Sequence, residues 1–139
     1  ELGAPCIVNT SGNRYTHIVL RGSETKTNYD EENVKNAELQ LASNNLSPKI
    51  MIDCSHGNSD KNYRNQIGVF ENIIQQIKNG DKNIIGIMIE SNLHPGKQPI
   101  PHNLKDFDKE KLRHGVSITD SCIGWEETET LLLDAYRNL

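Results

Sequence analysis

Four residues with charged or metal-coordinating side chains recur at nearly regular intervals in this sequence of 139 residues. They are separated by 35, 34 and 30 positions: Arg21, His56, Glu90 and Asp120. One imidazole and two carboxylates suit a divalent cation such as Mn²⁺, Fe²⁺ or Co²⁺, and zinc is also compatible with them. Such a metal would polarise a carbonyl group or activate water. Because the guanidinium of Arg21 can bind phosphate or carboxylate, the set predicts an anionic, phosphorylated small substrate.

Three apolar segments are the strands that would position these residues. We predict strands over residues 16–22, 49–53 and 83–91, and helices over residues 31–43, 61–78 and 125–138. Asn28 or Asp30 is a candidate cap for the first helix, and Gly80 for the end of the second. The predicted apolar faces of the three helices are Val34, Ala37, Leu41 and Ala42; Ile67, Phe70, Ile74 and Ile77; and Trp125, Thr128, Leu132, Ala135 and Tyr136.

Near-continuous apolar strands are typical of parallel sheets that are covered on both faces. Their alternation with helices indicates βαβ units, and three unrelated buried strands in an α+β domain are the alternative. The regular spacing favours part of a (β/α)₈ TIM barrel. In that fold every strand ends at the face where active sites are built, so residues far apart in sequence converge there.

Each candidate also has a simpler interpretation. Without a metal, His56 would simply hydrogen-bond within a loop and Asp120 would simply begin a helix. Arg21 would pair with a neighbouring acid. Asp53 either orients His56 or ends its strand, and the pattern does not decide between the two.

Charge and cysteine content narrow the functional classes. The chain has 15 Lys and Arg against 19 Asp and Glu, a net charge of −4, and its charged segment 105–113 alternates in sign. We therefore expect no nucleic-acid binding, and no apolar run reaches membrane-spanning length. The three cysteines lack zinc-site spacing, which favours reduced thiols in a cytoplasmic protein, with Cys54 and Cys122 buried.

Five segments resemble successive motifs of one enzyme family: "IVNTSGN", "HIVLRG", "MIDCSHGNS", "GIMIESN" and "GVSITDSCIGWEETE". They resemble the class I 3-deoxy-D-arabino-heptulosonate 7-phosphate (DAHP) synthases of the branch regulated by aromatic amino acids, and "MIDCSHGN" is similar to the fungal members. The resemblance implies a TIM-barrel enzyme that condenses phosphoenolpyruvate with erythrose 4-phosphate in the first step of the shikimate pathway. In that scheme the metal polarises the aldehyde for attack by C3 of phosphoenolpyruvate, water adds at C2, and phosphate leaves.

The resemblance also assigns roles to residues. It implies that His56, Glu90 and Asp120 are metal ligands, that Arg21 binds phosphoenolpyruvate, and that Val8 lies near an inhibitory aromatic amino acid. Two alternatives stay open: a related synthase that joins phosphoenolpyruvate to another sugar phosphate, and a truncated, non-catalytic homologue that binds metal or a partner chain.

The resemblance covers only the C-terminal part of the family's barrel. Residues 1–15 match a hairpin near the regulatory site, and residues 16–139 match the last three βα units. The family's cysteine ligand and further anion-binding residues belong to earlier strands. We therefore expect the missing N-terminal part of the barrel to be a required partner, this chain alone to be inactive, and the assembly to be a homo-oligomer.

Overall fold

A three-stranded parallel sheet forms the centre of the computed structural model, which describes residues 3, 5–101, 103, 105 and 107–139. The strands lie in the order β1, β2, β3: β1 Ile18–Leu20, β2 Ile50–Asp53 and β3 Ile84–Met88. The helices are α1 Glu31–Ser43, α2 Asn65–Lys78 and α3 Trp125–Asn138. Short 3₁₀ helices span His56–Ser59 and Lys109–Lys111. The predicted βα alternation and parallel pairing are confirmed.

Helix boundaries follow local signals in the sequence. The predicted bounds of α1 and α3 are those observed, and Asp30 caps α1 by accepting a hydrogen bond from the Asn33 N–H at 3.1 Å. Helix α2 begins at Asn65, four residues later than predicted. Asp60 and Lys61 have φ angles of 52° and 58°, and this left-handed backbone cannot continue a right-handed helix.

The core lies between the sheet and helices α1 and α2. Its most buried members are Ile50 and Ile52 of β2, together with Val34, Cys54, Val69, Phe70, Ile73 and Ile123. Phe70 lies on the predicted face of α2, but Val69 and Ile73 are more deeply buried than its other predicted residues. The helix is therefore rotated relative to the predicted apolar stripe.

The predicted stripe of α3 is only partly correct. Thr128 is buried and Ala135 packs against the core, whereas Trp125 is 52% exposed and Tyr136 is 84% exposed. Leu131, which was not predicted, is the buried leucine of this helix. Because α3 contacts the described chain mainly along α2, only a narrow line of its surface is covered.

The opposite face of the sheet carries apolar side chains that no described helix covers. Val19, Met51 and Gly86 are register partners on this face, and Met88 follows Gly86 by two positions. Val19 and Met88 are each 42% exposed. We predicted a sheet covered on both faces, but the described residues cover only one of its faces.

The segment before β1 has only local hydrogen bonds among its described residues. Glu1, Leu2 and Ala4 lie outside the description, and residues 5–13 form neither helix nor strand. The Gly12 N–H donates to Thr10 Oγ1, a local side-chain contact typical of turns rather than of paired strands. The hairpin predicted over residues 1–15 is thus not formed by residues 5–13, and Val8 is exposed. None of the described helices is long and apolar enough to cross a membrane.

Candidate metal centre

Three of the predicted site residues converge beyond the carboxyl ends of β2 and β3. The Nε2 atom of His56 lies 3.7 Å from Glu90 Oε1 and 3.7 Å from Asp120 Oδ2. One potential ligand atom from each residue lies within 4.8 Å of the other two. A nitrogen and two carboxylate oxygens in such a cluster could hold a divalent metal ion.

Close approach of the β1 and β2 ends determines where His56 lies. Gly57 and Asn58 donate their N–H groups to the Arg21 carbonyl at 3.0 and 3.3 Å. A Cβ atom on Gly22 would lie 2.5 Å from the Gly57 carbonyl carbon, so only glycine allows this contact. His56 itself has a left-handed φ of 53°, which is uncommon for a residue with a side chain and is concentrated at functional sites.

Asn58 links the same two strand ends through its side chain. Its Nδ2 donates to the carbonyls of Leu20 and Asp53 at 3.1 and 2.9 Å, and its Oδ1 accepts the Asn28 N–H at 2.8 Å. Asn58 is buried, so these bonds satisfy groups that have lost contact with water. This role was not predicted from the sequence, although an asparagine shortly after a strand was a possible signal.

Asp53 contacts both His56 and the backbone at the strand end, as each interpretation of this residue requires. Its Oδ2 lies 2.9 Å from His56 Nδ1, and its Oδ1 accepts the Ser55 N–H at 2.8 Å. An ionised carboxylate can only accept, so Nδ1 carries the imidazole proton. In the neutral imidazole the lone pair of Nε2 then faces Glu90 and Asp120, as metal ligation requires.

Glu90 is held by two side chains that the sequence analysis missed. The Ser55 hydroxyl donates to Glu90 Oε2 at 2.7 Å, and the Gln66 side chain bonds both the N–H and the carbonyl of Glu90. A signal for Gln66 was present, since an amide among the apolar residues of α2 needs a buried partner.

Arg21 lies at the end of β1, and its side chain is exposed. It forms no salt bridge with any residue for which the structure gives a position, so the neighbouring-acid interpretation gains no support. Its carbonyl binds the turn that carries His56, which places its backbone beside the cluster.

The two nearby cysteines are buried thiols, as predicted. Burial raises the pKa of Cys54 to about 12, and the charge of Asp53 adds to this. Burial also raises the pKa of Cys122, with Glu90 and Asp120 adding to the rise and a hydrogen bond with Ser117 opposing it. Both groups therefore favour the protonated thiol at neutral pH.

The Asp120 side chain is 65% exposed, so the cluster opens to solvent.

A parallel βα unit with a His–Glu–Asp cluster beyond its strands places this chain among α/β proteins with a candidate metal centre. The family model described as "DAHP synthetase I family" matches residues 2–133. The chain belongs to the DAHP synthetase I family, as the motif resemblance predicted.

Similar proteins match this chain over a limited part of their own length. The chain is 50% identical over 126 residues to "Putative phospho-2-dehydro-3-deoxyheptonate aldolase" of Schizosaccharomyces pombe, covering 91% of this chain and 33% of the relative. It is 46% identical over 134 residues to "Phospho-2-dehydro-3-deoxyheptonate aldolase, phenylalanine-inhibited" of Saccharomyces cerevisiae, covering 94% of this chain and 35% of the relative. The chain thus spans about a third of the length of these curated relatives.

A solved structure supports the same relationship. The phospho-2-dehydro-3-deoxyheptonate aldolase from Francisella tularensis SCHU S4 superposes with a TM-score of 0.81 at 40% identity, covering 93% of this chain and 36% of that chain. The predicted similarity to fungal members agrees with the identities of 46–50% to the fungal relatives named above, against 40% for a Tyr-sensitive enzyme of Salmonella typhimurium.

Proposed function

We propose that this chain is the C-terminal part of a DAHP synthase that condenses phosphoenolpyruvate with erythrose 4-phosphate. The observation that carries the proposal is the convergence of His56 Nε2 with Glu90 Oε1 and Asp120 Oδ2, each at 3.7 Å. Relatives at 46–50% identity are named phospho-2-dehydro-3-deoxyheptonate aldolases, which agrees with this chemistry.

His56, Glu90 and Asp120 are the proposed metal ligands. Their donor set fits Mn²⁺, Fe²⁺ or Co²⁺, and zinc is compatible with it. Asp53 favours this role, because its bond to Nδ1 leaves the Nε2 lone pair directed at the two carboxylates. When bound, the metal supplies Lewis-acid polarisation of the erythrose 4-phosphate aldehyde.

Arg21 is the proposed phosphoenolpyruvate-binding residue of this chain. Its exposed side chain follows β1 directly, the strand next to β2, and His56 follows the end of β2; a planar fork of donors suits phosphate or carboxylate. It would hold phosphoenolpyruvate beside the metal ligands, which favours reaction by positioning.

The remaining barrel is proposed to cover the open face of the sheet. Val19 and Met88 are partly exposed there, and the curated relatives are about three times as long as this chain. We propose that residues 16–139 form three βα units of a TIM barrel, and that activity requires the other strands. Because relatives are named tyrosine-inhibited or phenylalanine-inhibited, we also propose feedback control by an aromatic amino acid, with Val8 near that site.

The metal assignment is tested in the complete barrel by His56→Ala and Glu90→Ala. Each variant should lose Mn²⁺ binding in calorimetric titration and lose synthase activity together. His114→Ala and Glu129→Ala change exposed residues of the same types and serve as controls. Mn²⁺ affinity equal to wild type in both ligand variants would show that the assignment is wrong. Replacing erythrose 4-phosphate by arabinose 5-phosphate in the assay tests the substrate, since the related-synthase alternative requires turnover of the larger sugar.

A further inference from the structure

Glu90 lies beyond the end of its strand, where an isolated parallel bridge between Ser91 and Ile123 follows the regular pairing and the Ile123 N–H donates to the Glu90 carbonyl at 3.0 Å. Strand β3 ends at Met88. Gln66 supplies the partner of the Glu90 N–H, which its Oε1 accepts at 2.9 Å, and its Nε2 is a second donor to the Glu90 carbonyl at 3.3 Å. Gln66 is 0% exposed, so its amide has no water to replace these bonds. A helix side chain thus provides the Glu90 N–H with the acceptor that a neighbouring strand would otherwise supply.

The Ser55 hydroxyl determines the orientation of the Glu90 carboxylate. It donates to Oε2 at 2.7 Å, while the other oxygen, Oε1, lies 3.7 Å from His56 Nε2. The terminal torsion of a glutamate is broad, so a charge-assisted bond to one oxygen restricts where the other can lie.

Ser55 is itself tied to the histidine. Asp53 accepts the Ser55 N–H through Oδ1 and contacts His56 Nδ1 through Oδ2. Glu90 and His56 are therefore connected through Ser55 and Asp53, and the two candidate ligands are oriented by one network of side chains.

We infer that Ser55 and Gln66 are positioning residues that hold Glu90 ready to bind the metal. The inference rests on the proposed function, because it concerns the same metal centre. Groups that orient metal ligands raise affinity by reducing the reorganisation that binding requires. If these bonds served only the stability of the fold, removing them would lower stability without changing the metal affinity of the folded protein.

The experiment measures Mn²⁺ dissociation constants by calorimetry on the complete barrel, at a temperature where unfolding curves show each variant to be folded. Ser55→Ala removes the hydroxyl that binds Glu90 Oε2. Ser91→Ala is its matched control, because Ser91 is next to Glu90 in the chain but pairs its hydroxyl with Thr128 at 2.6 Å. We expect Ser55→Ala to weaken Mn²⁺ binding about tenfold, and Ser91→Ala to bind as wild type does.

Gln66→Met removes both side-chain bonds to the Glu90 backbone, leaves the Ile123 bond in place, and changes the side-chain volume little. Gln76→Met is its control: Gln76 is also buried on α2, but its Nε2 donates to the Tyr29 carbonyl at 2.7 Å, away from Glu90. We expect both substitutions to lower stability and only Gln66→Met to weaken Mn²⁺ binding, again about tenfold.

The outcomes separate this inference from the proposed function. If Ser55→Ala and Gln66→Met bind Mn²⁺ as wild type does while His56→Ala does not bind it, the positioning role is refuted and the metal centre stands. Equal weakening by the controls would also refute it, since the loss would then be general. If His56→Ala and Glu90→Ala both leave Mn²⁺ binding intact, the proposed metal centre itself fails.

Discussion

Replacing Asp53 by asparagine is the substitution that tests the candidate centre most directly. The two carboxylate oxygens of Asp53 accept from different donors, His56 Nδ1 at 2.9 Å and the Ser55 N–H at 2.8 Å. An asparagine has one acceptor oxygen and one donor NH₂ group, so it cannot accept both bonds. The substitution changes few atoms and forces one of the two contacts to fail.

Each orientation of the asparagine has its own consequence. If its oxygen faces His56, the Ser55 N–H meets a second donor and stays unpaired in a buried position, which costs about 1–3 kcal/mol of stability. If its NH₂ faces His56, the ring proton must move to Nε2, where it blocks the lone pair that would bind the metal. Orienting residues of metal ligands are typically worth 10–100-fold in affinity, or about 1.4–2.7 kcal/mol. We therefore expect weaker Mn²⁺ binding, lower stability, or both.

The assay pairs Mn²⁺ titration with urea unfolding of the complete barrel, and Asp81→Asn is the control. Asp81 accepts the N–H groups of Asn83 and Ile84 through a single oxygen, Oδ1, at 2.8 and 3.2 Å. Asparagine preserves both of these bonds while making the same change in charge. If Asp53→Asn matches wild type in both affinity and stability, the tautomer argument for His56 is refuted.

Three further predictions follow from the described contacts. In the complete barrel, Arg21→Ala should raise the KM for phosphoenolpyruvate roughly 10- to 100-fold, because hydrogen bonds to charged groups are worth about 1.5–3 kcal/mol; steady-state kinetics measures this, and an unchanged KM would exclude the assigned role. At pH 8, iodoacetamide should modify the exposed Cys6 in the folded protein, but it should modify the buried Cys54 only after unfolding, because burial raises the pKa of Cys54 to about 12. Mass spectrometry of digests distinguishes the two cysteines. Asp30→Ala should lower the free energy of unfolding, measured with urea, by about 1 kcal/mol, because it removes the cap of α1. Burial acts to raise the pKa of Asp30, but hydrogen bonds, chiefly from Asn33, lower it below the ordinary value of 3.8. The ionised cap should therefore contribute its full stability above pH 3.8. That stability should be lost as the pH falls through the lowered pKa of the folded state.

Helix and strand assignments followed from the sequence where the controlling signal was local. Asp30 and the apolar spacing after it predicted α1, and the predicted bounds of α3 were also correct. The predicted start of α2 was wrong, because the left-handed backbone at Asp60 and Lys61 follows the turn that bonds the Arg21 carbonyl after β1. The exposure of Tyr136 was missed for a similar reason: periodicity identifies an apolar stripe but not which part of it meets a partner.

The sequence by itself determined the types of residue at the strand ends, the βα alternation and the family. A histidine, a glutamate and an aspartate at intervals of one βα unit must converge if the strands are parallel, so the cluster was predictable without coordinates. Only the tertiary structure decided how each of them is held. Ser55 and Gln66 meet Glu90 across 35 and 24 positions of chain, and these contacts depend on how β2 and α2 pack against the end of β3. Buried polar groups must find partners, but the sequence does not say which ones, because partner choice depends on the spatial arrangement of elements that are distant along the chain.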